Sequence, residues 1–153
     1  VAEIEEKMQP AWERLAAKGK TVVAIHLRLG DYFYLTPHWI APWEWYAEWL
    51  RGFWETLEEP ILYLASDEAE KVWHYFAEYQ PITARDLGVE LPGAEFYPDF
   101  YMLSRADALG ISNSTFSFAA AMLNRRAKYF FRPHFPSHKL IPFDPWNAPP
   151  LFR

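Results

Sequence analysis

The stretch Thr21-Val-Val-Ala-Ile-His-Leu-Arg-Leu-Gly-Asp-Tyr32 decides how this sequence is read. Its first half is apolar and rich in β-branched residues, the composition of a buried strand over Thr21–Arg28. Its second half abandons that pattern for His26, Arg28, Gly30 and Asp31. A strand buried on both faces that ends in polar groups belongs to a parallel sheet, whose ligands bind beyond the carboxyl ends of the strands.

Working outward, strand and helix patterns alternate. Residues Ala2 to Ala17 carry Ile4, Met8, Trp12 and Leu15 at helical spacing, and Pro10 is expected to kink or divide that helix. A loop from Leu29 to about Ala41 precedes a helix from Pro42 through Glu58. Ile61–Ala65 reads as a second strand, and Ser66-Asp67 as the cap of a helix running to about Tyr79. Pro81–Gly93 is ambiguous, with room for a short strand at Ile82–Ala84. Asp99–Ala106 reads as a helix, Leu109–Ser112 as a strand, Thr115–Asn124 as a helix and Lys128–Phe131 as a strand. The residues from Pro133 onward hold six of the thirteen prolines and form either an ordered wrap or a loose tail. The expected fold is α/β: a Rossmann-like, three-layer single domain with a mainly parallel sheet.

Composition narrows the function. A chain of 153 residues with 51% hydrophobic and 23% charged residues suits one globular domain. No apolar run approaches the ~18 residues of a membrane span. No signal peptide is visible, and the compartment is left open, with a cytoplasmic one favoured. A net charge of −5 argues against nucleic acid or an anionic membrane as partner. The lack of cysteine removes disulfides, cysteine nucleophiles and thiolate metal sites. No GxGxxG or Walker loop occurs among the six glycines.

The strand ends carry the chemistry. His26 and Arg28 share one face of the first strand, about 6–7 Å apart. Two nitrogen donors there suit a phosphate, Gly30 lets the backbone approach closely, and Asp31 can hold the guanidinium from behind. The bland alternative is an ion pair beside a satisfied histidine. Ser66 and Asp67 are a plain cap or a contact for a ribose or base edge. At the third strand, Asn113, Ser114, Thr115 and Phe116 open a helix whose free N–H groups suit an anion, or the serines simply cap it. Together these ends match a nucleoside diphosphate carrying a sugar. Trp39, Trp43, Trp45, Trp49 and Trp54 either stack on sugar or form a helix's buried face. If a missing domain normally covers that face, self-association is expected. His134 and His138 have metal-ligand spacing only on a helix, which Pro133 and Pro136 oppose.

These residues resemble a known family. HLRLGDY (26–32) is similar to the HxRxGD-type first motif of alpha-1,2- and O-fucosyltransferases, and ILYLASDEAEKV (61–72) to the second. PDFYMLSRADALGISNSTFSFAAAMLN (98–124) resembles the third, and its NSTFS is closest to the bacterial alpha-1,2 type. Leu29 stands where that type often has a second Arg, and Phe118-Ala119 where it has Trp-Trp.

The resemblance implies one half of a GT-B-like glycosyltransferase: the carboxyl-terminal domain that binds GDP-fucose, with the amino-terminal acceptor domain absent from this chain. It implies that Arg28 grips the β-phosphate and is the catalytic group. His26 then lies near the nucleotide, Asp99 approaches guanine, Ser114 to Phe116 meet the phosphates, and Asp67 lies toward the nucleoside. The inferred reaction moves fucose to a glycan hydroxyl with inversion. No Asp-x-Asp occurs, so neither a metal nor another cofactor is expected. The competing class is a non-catalytic nucleotide- or carbohydrate-binding module.

Overall fold

The computed structural model describes residues 2–31, 34 and 39–150. Tyr32, the end of the first motif, lies outside them, as do the last three residues of the tail. Five strands form one sheet: β1 (Thr21–Leu27), β2 (Pro60–Ser66), β3 (Ala108–Gly110), β4 (Tyr129–His134) and β5 (Lys139–Pro142). Their order is β2-β1-β3-β4-β5. The first four strands are mutually parallel, and β5 returns antiparallel to β4. The α/β, mainly parallel architecture is as the alternating pattern implied.

Helices cover both faces. On one, α1 (Ala2–Ala16), α4 (Tyr97–Leu103) and α5 (Thr115–Leu123) pack on Val22, Ala24, Ile61, Tyr63 and Leu109. On the other, α2 (Trp43–Phe53) and the short α3 (Ala69–Val72) cover Val23, Ile25, Leu62 and Leu64. Alternate residues of one strand thus feed two separate cores, which is why β1 reads as an unbroken apolar run.

Several expectations need correction. Helix α1 runs undivided through Pro10, which is exposed. The second helix ends at Phe53 and tightens into a 3₁₀ turn over Trp54–Thr56 instead of reaching Glu58. Helix α3 is a single turn that continues as 3₁₀ over Trp73–Tyr79. Ile82 forms an isolated parallel bridge with Tyr63, not a strand.

The proline-rich segment is ordered through Pro150. It forms β5, and Arg132 donates to the Pro149 carbonyl at 2.6 Å. The same hairpin covers the tryptophan face of α2. Trp45 packs on Phe135, and Trp49 on Phe131. A Cβ on Gly110 would sit 2.9 Å from the Trp49 ring. The chain thus packs its own aromatic residues against Trp45 and Trp49, which stay half-buried.

Asn124 closes α5 in the buried interior. Its Nδ2 donates to the Leu103 and Ala106 carbonyls, both at 2.9 Å. Its Oδ1 accepts from the Arg126 and Ala127 amides, both at 2.8 Å. Asn124→Ala is expected to lower stability by at least ~3 kcal/mol, because several groups lose their partners at once. The midpoint of urea unfolding checks this, and a shift within error of wild type would contradict it.

Candidate functional site

The strand order brings the three motifs together. β1 lies between β2 and β3, and its register sets His26 beside Ala65 and Leu27 beside Ser66. Beyond these ends opens a cleft of about 340 Å³ lined by His26, Arg28, Ser66, Asp67, Phe116 and Asp99, with Glu95 and Phe96 at its rim. It shares Ser66, Glu95 and Asp99 with a neighbouring depression of about 490 Å³ that reaches Trp73, Arg85 and Asp86.

Arg28 is held by two carboxylates. Its Nη2 donates to Asp31 Oδ1 at 2.6 Å, and its Nη1 lies 3.5 Å from Asp67 Oδ2. Asp67 is fixed in turn by the Leu29 amide, which donates to Oδ1 at 3.1 Å. A Cβ on Gly30 would fall 2.2 Å from Asp67 Oδ2. Gly30 is therefore needed for the carboxylate of the second motif to reach the first. Asp67 pairs with the guanidinium and lines the cleft as well. The Arg28–Asp31 ion pair is thus present, as both readings of the first strand's end allowed.

His26 is buried, and its Nδ1 lies 2.7 Å from Ser112 Oγ. Burial first, and the Arg28 charge second, push its pKa down to about 3, so the ring is neutral near pH 7. That removes His26 as a general base of useful strength. Its ring lies 5.2 Å from Phe116, which also packs on Phe100 and Phe96.

Asp99, at the start of α4, accepts from the Tyr63 hydroxyl at 2.7 Å. Burial raises its pKa to about 6, and the bonds from Tyr63 and the Ser66 amide oppose the rise. Burial and Asp99 hold the Tyr63 hydroxyl well above its ordinary range. Asp99 is thus mostly ionised at pH 7 and mostly protonated at pH 5.

Not every candidate reaches the cleft. Ser114 caps α5, its Oγ accepting from the Phe116 amide at 3.2 Å. Ser117 is fully buried, and Thr115 is exposed. Asn113, Ser114, Thr115, Gly30 and Asp31 do not line the cleft. Phe116 of the NSTFS motif does, while Ser114 caps α5 and Ser117 links to Ser112. Glu95 and Phe96 were not singled out from sequence. The only signal was an acidic-aromatic pair just ahead of the third motif, and Phe96 keeps 61% of its surface exposed. In the sequence Tyr63 carries no signal beyond its place in a strand.

Among solved structures, the chain is similar in fold to NodZ fucosyltransferases. A NodZ alpha-1,6-fucosyltransferase soaked with GDP-fucose superposes with a TM-score of 0.62 at 17% identity, over 94% of this chain and 49% of that one. A NodZ alpha-1,6-fucosyltransferase co-crystallised with GDP gives 0.63 at 17% identity, over 94% and 48%. Fucosyltransferase NodZ from Bradyrhizobium gives 0.62 at 16%, over 94% and 47%. The fold is fucosyltransferase-like. The chain spans about half the length of the solved structures it matches. No family model and no curated protein matches the sequence. Two of these neighbours are described as alpha-1,6-fucosyltransferases, while NSTFS resembles the alpha-1,2 type; the shared fold speaks to neither linkage. Among the described residues, no helix is long and apolar enough to cross a membrane.

The Asp99 environment makes a prediction by NMR. The Asp99 carboxyl of the ligand-free protein should titrate near pH 6. In Tyr63→Phe it should titrate higher, because the lost hydrogen bond favoured the charged form. A midpoint in the ordinary carboxylate range would show that water reaches Asp99 freely.

Proposed function

We propose that the cleft binds GDP-fucose and that this chain is the donor-binding half of a GT-B-like fucosyltransferase acting on a glycan hydroxyl. The observation that carries the reading is the meeting of all three motif regions, through Arg28, Asp67, Asp99 and Phe116, around one cleft at the carboxyl edge of a fucosyltransferase-like fold.

In this reading the diphosphate lies by Arg28 and the base enters the wider depression. The Asp99 carboxylate faces the N–H groups of guanine, which uracil does not present in the same pattern. As C1 of fucose is attacked by the acceptor oxygen, the bond to the β-phosphate oxygen breaks and charge grows on GDP. A guanidinium already fixed by Asp67 and Asp31 stabilises that charge with little reorganisation. Asp31 is 53% exposed, so its pull on Arg28 is screened and a phosphate oxygen can share the guanidinium. Inversion follows from a single displacement. Arg28 takes the charge that a metal takes in other transferases, so the reading needs none. The acceptor's proton goes to a base on the domain that presents the acceptor. The neutral, weakly basic His26 also fits a non-catalytic nucleotide-binding module.

Calorimetry with GDP, GDP-fucose, UDP and free fucose separates these. Preference for GDP over UDP is expected, and free fucose bound without nucleotide preference would favour a lectin-like module. Arg28→Ala should weaken GDP binding by about 1.5–3 kcal/mol with the melting temperature nearly unchanged. Unchanged affinity would remove Arg28 from the site. Wild-type affinity for GDP should fall as pH drops through about 6, because protonation of Asp99 removes an acceptor facing the base.

A further inference from the structure

We propose that Ser112 is a positioning residue that keeps the His26 proton on Nε2, so that His26 donates a hydrogen bond to a diphosphate oxygen in the cleft. The inference rests on the GDP-sugar reading and gives His26 its role within it.

The geometry begins with a buried chain of three side chains. His26 Nδ1 meets Ser112 Oγ at 2.7 Å, and Ser112 Oγ meets Ser117 Oγ at 3.2 Å. Ser117 Oγ also lies 3.4 Å from the Ser112 and Ser114 carbonyls. All three residues are buried, and no carboxylate enters the chain. Ser112 does not line the donor cleft, whereas His26 does. The ring is therefore gripped at Nδ1 from behind. Nε2 has no hydrogen-bond partner among the described residues, yet it is not among the sealed, unpartnered polar atoms. It reaches the open side of the ring.

A neutral imidazole carries one proton, and the chain allows two arrangements. In the first, Nδ1–H donates to Ser112, Ser112 donates to Ser117, and a bare Nε2 lone pair faces the cleft. In the second, Ser117 donates to Ser112 or to a carbonyl, Ser112 donates to Nδ1, and Nε2–H faces the cleft. The Nδ1–Oγ separation of 2.7 Å is short for an N–H donor, whose bonds to oxygen centre near 2.9–3.0 Å, and suits a hydroxyl donor. A lone pair at Nε2 would also repel the oxyanion that Arg28 attracts beside it. Both considerations select the second arrangement. Fixing a histidine's tautomer through the bond at its far nitrogen is the usual task of such a partner.

The test uses the full chain labelled with ¹⁵N. Two-bond ¹H–¹⁵N correlation at neutral pH should show His26 protonated on Nε2, with a pyridine-like Nδ1, before any ligand is added. Ser112→Ala should mix the two tautomers and weaken GDP binding about tenfold, the loss of one charge-assisted bond. Ser112→Thr, which keeps the hydroxyl, should restore both; a merely structural serine would change stability without moving the tautomer. Protonation on Nδ1 in a wild-type chain that binds GDP overturns the proposal and leaves the donor reading standing. A wild-type chain protonated on Nε2 that does not bind GDP overturns the donor reading, and with it the ligand half of the proposal. Unchanged GDP affinity in Ser112→Ala overturns it as well. Should Ser112→Ala not fold, the wild-type spectrum decides alone.

Discussion

The site depends on one carboxylate crossing from the second motif to the first. Asp67 leaves the end of β2, accepts the Leu29 amide and reaches the Arg28 guanidinium. It passes over Gly30 so closely that no side chain fits there. Half-exposed ion pairs of this kind contribute little to stability. Their value lies in orientation: Arg28 is a long, rotamer-rich side chain, and two carboxylates fix the direction of its charge. The neighbouring strands β1 and β2 pair in register along their whole length, which fixes where that charge stands relative to the sheet.

Desolvation shapes the rest of the cleft. It pushes His26 and Asp99 toward their neutral forms, one downward and one upward in pKa. The outcomes differ because their partners differ. Asp99 has Tyr63 and the Ser66 amide to support its charge, so it ionises near pH 6. His26 has a guanidinium beside it and hydroxyls behind it, so it stays neutral. The cleft thus offers a fixed cation, a neutral ring and a carboxylate in sequence, an asymmetric set suited to a ligand that is anionic at one end and rich in N–H donors at the other.

The two edges of the sheet are finished differently. On the β2 side, Ile82 contributes one parallel bridge, and its N–H and C=O both bond to β2. On the β4 side the proline-rich segment turns back as β5. Prolines are tolerated there because an edge strand leaves half its N–H groups unpaired. The same hairpin packs against Trp45 and Trp49.

The sequence alone determined the strand–helix alternation, the polar strand ends and the three motif strings, because buried parallel strands and helix caps are written in local composition. It also put Asp31 within reach of Arg28, since the two lie three residues apart at one strand end. Tertiary structure decided the contacts between elements distant in the chain. Asp67 went to Arg28, Tyr63 to Asp99, Ser112 to His26 and the proline segment to the tryptophans of α2, all across separations that no local pattern encodes. It decided as well that the serines of NSTFS face inward while Phe116 meets the cleft. A helix cap and an anion site ask for the same residue types, and only the direction of the side chain tells them apart.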